Sequence, residues 1–268
     1  MVRKKTPSTV GIPVFDSHFH IIDRRFPLVP NQGYLPDDFT CGQYLQRTKN
    51  IPLAGGAIVS GSFQGMDQAY LVDALSTLGP RFVGVTQLPA TVSDDEVLRL
   101  DALGVRAVRF NIKRGGSERV EHLDEMARRV YELARWHVEL YVDSGELANL
   151  EAALVALPAV SIDHLGLSKS GFRRLLSLVE RGVRVKATGF GRVDFDVKEA
   201  LKDICSANPD ALMFGTDLPS TRAPRPYLDE DLLLVVDTLD EGLARKVLHD
   251  NASAFYRPRL SWARPAPD

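Results

Sequence analysis

The chain has 268 residues, of which 44% are hydrophobic and 25% charged, with a formal net charge of -2. That is the profile of a soluble globular protein with a sizeable core, and it gives no support to nucleic-acid or membrane binding. No apolar run approaches the roughly 18 residues that a membrane span needs.

The opening "MVRKKTPSTVG" is basic but is not followed by an apolar segment, so no secretory signal and a cytoplasmic location are expected. Cys41 and Cys205 are far apart and fit no metal or redox spacing, which reads as two reduced thiols. Short β-branched runs then recur along the chain. They predict strands over Val14–His20, Ala57–Gly61, Phe82–Gln87, Ala107–Ile112, His137–Val142, Ser161–His164, Val183–Ala187 and Ala211–Gly215. Several are almost wholly apolar, as strands buried on both faces of a parallel sheet should be.

Helical patterns fill the intervals. Ser93 and Glu96 form a capping box, and Gly104 stands where that helix should stop. Leu123, Met126, Ala127, Val130 and Ala134 share one helical face, as do Phe172, Leu175, Leu176 and Val179 before Gly182. The long irregular stretch is about 23–55, with Pro27, Pro30, Pro36 and Pro52. Eight strands alternating with helices predict an α/β fold, a (β/α)8 TIM barrel in a single domain over 12–257, with 1–11 and 258–268 as terminal extensions. An open doubly wound sheet is the runner-up. It would bring a glycine-rich phosphate loop after the first strand, where this chain has histidines instead.

Six histidines are present, and two of them stand one residue apart in "VFDSHFHIID". Alternation along a strand points His18 and His20 the same way, at the C-terminal end where barrel enzymes carry their active sites. The same end of other strands brings His164 from "SIDHLG" and Asp217 from "FGTDLP". It also brings Arg109 and Asn111, Tyr141, Lys186 and, in the following loop, Arg192; Ser60 and Ser62 close the second strand. His122 reads as a solvated helix face, His137 as the structural end of a strand, and His249 as part of the last helix.

"DSHFH", "GVRAVRFN", "WHVELYVD", "IDHLG", "VKATG", "MFGTDLP" and "LHDNASAFY" follow one another in the order and spacing of the amidohydrolase superfamily. The set resembles its lactonase branch, that of the pyrone dicarboxylate and sugar-acid lactonases, over roughly 13–257. The resemblance implies a barrel hydrolase in which His18, His20, His164 and Asp217 match the family's site positions. Two positions depart from the pattern. Arg109 and Asn111 stand where a metal-bridging Lys or Glu would be, and Tyr141 stands where a strand-five histidine would be. A binuclear metal centre is therefore not expected. The leading expectation is no metal, and the alternative is one divalent ion, Zn or Mn, on His18, His20, His164 and Asp217.

The chemistry expected is hydrolysis of a small carboxylated lactone. His18, His20 and His164 would polarise the carbonyl and Asp217 would activate water. Such machinery suits an activated ester better than an amide, whose leaving amine must be protonated. Arg109, Lys113, Arg114, Lys186, Arg192, Arg222 and Arg225 fall at or just after strand ends, which predicts a small anionic substrate. Arg109, Asn111, Tyr141, Lys186, Arg192 and Ser62 are the expected substrate contacts. A mononuclear amidohydrolase or decarboxylase, a lactone isomerase and a non-catalytic sugar-acid binding barrel are the rival readings; a homo-oligomer is compatible with all of them.

Overall fold

The computed structural model describes residues 6–7 and 11–259. Eight parallel strands form one sheet in sequential order: β1 (Val14–Phe19), β2 (Leu53–Val59), β3 (Phe82–Thr86), β4 (Val105–Asn111), β5 (His137–Tyr141), β6 (Val160–Ile162), β7 (Arg184–Ala187) and β8 (Leu212–Phe214). Helices pack outside the sheet, among them α1 (Cys41–Arg47), α2 (Ala69–Leu78), α3 (Asp94–Ala102), α4 (Leu123–Ala134), α5 (Glu151–Ala156), α6 (Phe172–Glu180), α7 (Val197–Ala207), α8 (Asp229–Thr238), α9 (Glu241–Arg245) and α10 (Asn251–Tyr256). This is the (β/α)8 barrel expected from the alternation. Among the described residues no helix is long and apolar enough to cross a membrane.

The apolar residues divide into two packed sets. Val105, Val108, Phe110, Val138, Leu140, Ile162 and Val185 point outward and pack with helical residues such as Met126, Val130, Leu175 and Leu201. Phe15, Ala57, Val59, Val83, Val85, Ala107 and Met213 point inward and are plugged from below by Tyr256 of α10. Alternation then places Arg109, Glu139, Asp163 and Lys186 inside the barrel one layer above that plug, all of them buried.

β1 breaks this alternation. Phe15 belongs to the inner set and Phe19 to the outer set, although four residues apart on a regular strand they would face the same side. The register with β2 shifts between Asp16 and Phe19. Such a bulge re-aims the side chains that follow it. Its effect is to turn His18 and His20 inward and to seat Phe19 flat against Tyr44, with ring centroids 3.8 Å apart.

The barrel closes between β1 and β8 by connections beyond a regular ladder. Asp217 N donates to His18 O and His20 N to Leu218 O, both at 2.7 Å. Below them the buried Asp16 carboxylate accepts from Thr216 N (2.8 Å), Thr216 Oγ1 (2.7 Å) and Tyr44 Oη (3.0 Å). Gly215 makes the approach feasible, since a Cβ there would lie 2.7 Å from His18 N. His18 N donates to the Asp16 carboxylate at 3.3 Å, so Asp16→Ala strands four buried donors and should cost roughly 2–4 kcal/mol of stability. Urea unfolding measures it; a loss well below 1 kcal/mol would contradict this account of the seam.

Candidate active site

A cleft opens at the C-terminal end of the barrel. His20, His164 and Asp217 line it, and so do Ser62, Arg109, Asn111, Tyr141 and Arg192. His18 lies just beneath, with Nε2 3.9 Å from Asp217 Oδ1. Tyr34 closes the cleft from the irregular segment after β1, and Arg114 and Arg222 flank its mouth. Three histidines do not reach it: His122 pairs with Glu118, His137 with Glu139 and His249 with Asp250.

His18, Arg109, Asn111, Tyr141 and Lys186 lie within their strands, and His20, Ser62, His164, Arg192 and Asp217 lie in the segments that follow. β6 stops at Ile162 and β8 at Phe214, so His164 and Asp217 fall two and three residues beyond. Both take left-handed backbone, with φ of 52° and 60°. Non-glycine residues seldom adopt that region, and such strain gathers at functional sites. At β6 the turn has a second consequence. Asp163 continues the strand alternation into the barrel, while the left-handed His164 and Leu165 swing the His164 ring over it. Gly189 leaves room for that ring, because a Cβ there would lie 2.6 Å from His164 Nδ1.

The electrostatics can be followed atom by atom. His20 Nδ1 is 2.7 Å from Val59 O. A carbonyl only accepts, so the ring proton is on Nδ1 and His20 presents a bare Nε2 lone pair, 3.9 Å from Asp217 Oδ1. Burial, followed by the charges of His18 and Arg109, holds His20 well below the usual imidazole range. Burial lowers His18 as well, although Asp163 opposes the shift. Burial and the neighbouring Arg192 keep His164 well below the usual range. Burial thus favours the neutral, singly protonated form of all three rings. His20 in this state cannot donate to a carbonyl, so the donor role expected of it does not fit its hydrogen bonding.

Asp217 is held from one side. Arg192 reaches its Oδ2 through Nε (2.8 Å) and Nη2 (2.7 Å), while Oδ1 has no partner among the described residues. Arg109 grips Asp163 Oδ2 through Nη2 (2.7 Å) and Nε (3.2 Å) and donates to Ser60 O (2.7 Å). It therefore borders the cleft with most of its donors already engaged. Lys186 is displaced from its expected place. It is fully buried below the cleft, bonded to Glu139 and near Asp163, because β7 alternation aims it at the barrel axis. Burial opposes ionisation of Glu139 and Asp163, yet Lys186 lowers the first, and His18, Arg109 and Lys186 hold the second well below the usual carboxylate range. Sequence reasoning passed over both carboxylates. Their signal was strand alternation, since Glu139 lies two residues before Tyr141 and Asp163 two residues after Ser161.

Metal fit follows from the same atoms. His18, His20 and Asp217 offer ligand atoms within 4.8 Å of one another, and so do His18, Asp163 and His164. His18 Nε2 and Asp217 Oδ1 are buried and unpartnered. The first trio thus fits one divalent ion. A bridged pair of ions does not fit, because a guanidinium occupies the bridging position and a phenol the strand-five position.

The family model for amidohydrolases matches residues 15–257. Among characterised relatives, the chain is 27% identical to the 2-pyrone-4,6-dicarboxylate hydrolase of Comamonas testosteroni, covering 91% of this chain and 90% of that one. It is 26% identical to the 4-sulfomuconolactone hydrolase of Rhizobium radiobacter, covering 94% and 93%. In fold it is similar to an apo structure from Agrobacterium tumefaciens, with a TM-score of 0.81 at 21% identity, covering 92% and 96%. The match over nearly the whole barrel, together with hydrolases among the relatives, makes this chain a hydrolase belonging to the amidohydrolase family.

Proposed function

We propose that this protein hydrolyses the ester bond of a small lactone bearing at least one carboxylate. The observation that carries the reading is the charge of the cleft. Four arginines and one carboxylate line it, and neither Arg114 nor Arg222 makes an ion pair among the described residues. Arg114 lies over the Tyr141 ring and Arg222 over the Tyr34 ring, so both guanidinium groups are held at the mouth. Two poised cations above a reactive floor suit an anionic substrate whose carbonyl is lowered to that floor.

The floor supplies the rest. A water between Asp217 Oδ1 and His20 Nε2 would find an acceptor for each proton and direct a lone pair at the carbonyl carbon. Asp217 takes a proton as the new C–O bond forms, worth about 10²–10⁴-fold. Donors from His18, His164 and Tyr141 receive the oxyanion. Collapse breaks the ring C–O bond, and the proton held by Asp217 passes to the leaving oxygen. The product is an open-chain acid with a free hydroxyl or enol. This cycle suits a lactone, because the leaving oxygen needs little assistance.

One observation favours a second form of the same reading. His18, His20 and Asp217 fit a single divalent ion. Zinc or manganese held there would polarise the carbonyl or acidify water. Elemental analysis, with assays in the presence of chelator, separates the two forms: turnover at full rate without metal excludes the second.

Asp217→Asn keeps the shape of the site and removes the base. It should lower kcat by about 10²–10⁴-fold while a carboxylated product analogue still binds. Near-normal kcat would remove Asp217 from the base role. Arg114→Ala and Arg222→Ala should instead act on KM, each raising it by about 10-fold or more, which is the worth of one charged hydrogen bond. Steady-state kinetics on one carboxylated lactone reads both; an unchanged KM in both variants would contradict the anion-mouth reading.

A further inference from the structure

One buried cation has no task in this scheme. Lys186 pairs with Glu139, and compensation of charge would explain it alone. Yet its Nζ is also in hydrogen-bonding geometry with His18 Nδ1, at 3.3 Å. Asp163 Oδ1 lies 3.4 Å from the same nitrogen and competes for it as a charged acceptor, but that contact falls outside hydrogen-bonding geometry, and the other Asp163 oxygen is taken by Arg109. An ammonium has donors only, so the nitrogen it bonds must present a lone pair. In a neutral ring the proton is then on Nε2, the unpartnered atom beneath the cleft.

We propose that Lys186 is a positioning residue that holds His18 as the Nε2–H tautomer, which makes His18 a hydrogen-bond donor to the substrate carbonyl. The tautomer stands on the geometry alone; the donor role rests on the lactonase reading. Val59 O sets His20 the other way, with its proton on Nδ1. Two histidines that alternation would treat as equivalent thus carry opposite assignments. His20 accepts from water and His18 donates to the carbonyl, and an attack on an ester needs one of each. No ionisation distinguishes the two forms of His18; only the place of its single proton does.

The same contact bears on metal binding. An ion on His18 Nε2 requires the proton to move to Nδ1, where it would face an ammonium 3.3 Å away. Lys186 therefore weakens metal binding at a trio that otherwise fits an ion. Partners behind a ligating histidine commonly change metal affinity by about 10–100-fold.

The test is nitrogen NMR of the ¹⁵N-histidine-labelled full chain, free of ligand and metal, at neutral pH. His18 should show a protonated Nε2 and a bare Nδ1, with His20 the reverse. A proton on His18 Nδ1 overturns the proposal. Lys186→Met alone leaves Glu139 unpaired, so the variant to compare is Lys186→Met with Glu139→Gln, against Glu139→Gln by itself. The double variant should move the His18 proton to Nδ1, facing Asp163. It should lower kcat by about 10²–10³-fold with KM little changed, and tighten zinc binding by about tenfold or more. An unmoved proton with unchanged zinc affinity would make Lys186 merely the counter-ion of Glu139. The spectrum and the zinc titration use no substrate, so failure to open any lactone would count against the proposed function and leave the tautomer assignment standing.

Discussion

The site depends on the seam between β1 and β8. Two backbone hydrogen bonds of 2.7 Å tie the end of β1 to the turn after β8, so His18, His20 and Asp217 are neighbours by main-chain geometry before any side chain is considered. The bulge in β1 does the remaining work by turning both histidines inward and Phe19 outward. Asp16, collecting donors from Thr216 and Tyr44, holds bulge and turn together from below. The proposed chemistry and barrel closure thus rest on the same few residues. Variants at the seam should affect stability and catalysis together, whereas those at the mouth should affect binding alone.

Under that seam lies a second constraint, the disposal of buried charge. Isolated ions are costly inside a protein and persist only when paired and hydrogen-bonded. Here Arg109 pairs with Asp163, Lys186 with Glu139 and Arg192 with Asp217. Tyr256 and His137 also bond to Glu139, which links the layer to the apolar plug of the barrel. The result is a fixed set of dipoles under a neutral trio of imidazoles, the kind of arrangement that stabilises a developing oxyanion without reorganising. It also separates the deeper cations, which are already ion-paired, from those at the mouth: Arg114 and Arg222 make no ion pair among the described residues, and Arg222 donates to Asn31.

The legible and illegible parts of the sequence separate along physical lines. Parallel strands buried on both faces leave long apolar runs, so the eight strands and their order could be read directly. That His18, His20, His164 and Asp217 meet at one end of the barrel was legible because all four fall at or just after the C-terminal ends of their strands. The bulge at Asp16–Phe19 leaves no pattern in composition; plain alternation pairs His18 with His20 correctly but gives no warning that Phe15 and Phe19 face opposite ways. The left-handed turns at His164 and Asp217 were equally invisible, since neither residue is a glycine. Lys186 was misplaced because a lysine at a strand end reads as a ligand contact, while its burial depends on Glu139 from a strand 47 residues earlier. Tyr34 was hidden in the irregular stretch 23–55, where only the folded path over the cleft reveals its position.

The account is tested most directly by offering the purified wild-type protein, in the presence of chelator, a matched panel of carboxylated lactones, neutral lactones of the same ring, and simple amides, with ring opening followed by proton NMR. The account predicts that a carboxylated lactone opens to its hydroxy or enol acid, that its neutral counterpart opens far more slowly, and that amides stay intact. Intact carboxylated lactones alongside hydrolysis of a neutral ester or an amide would contradict it.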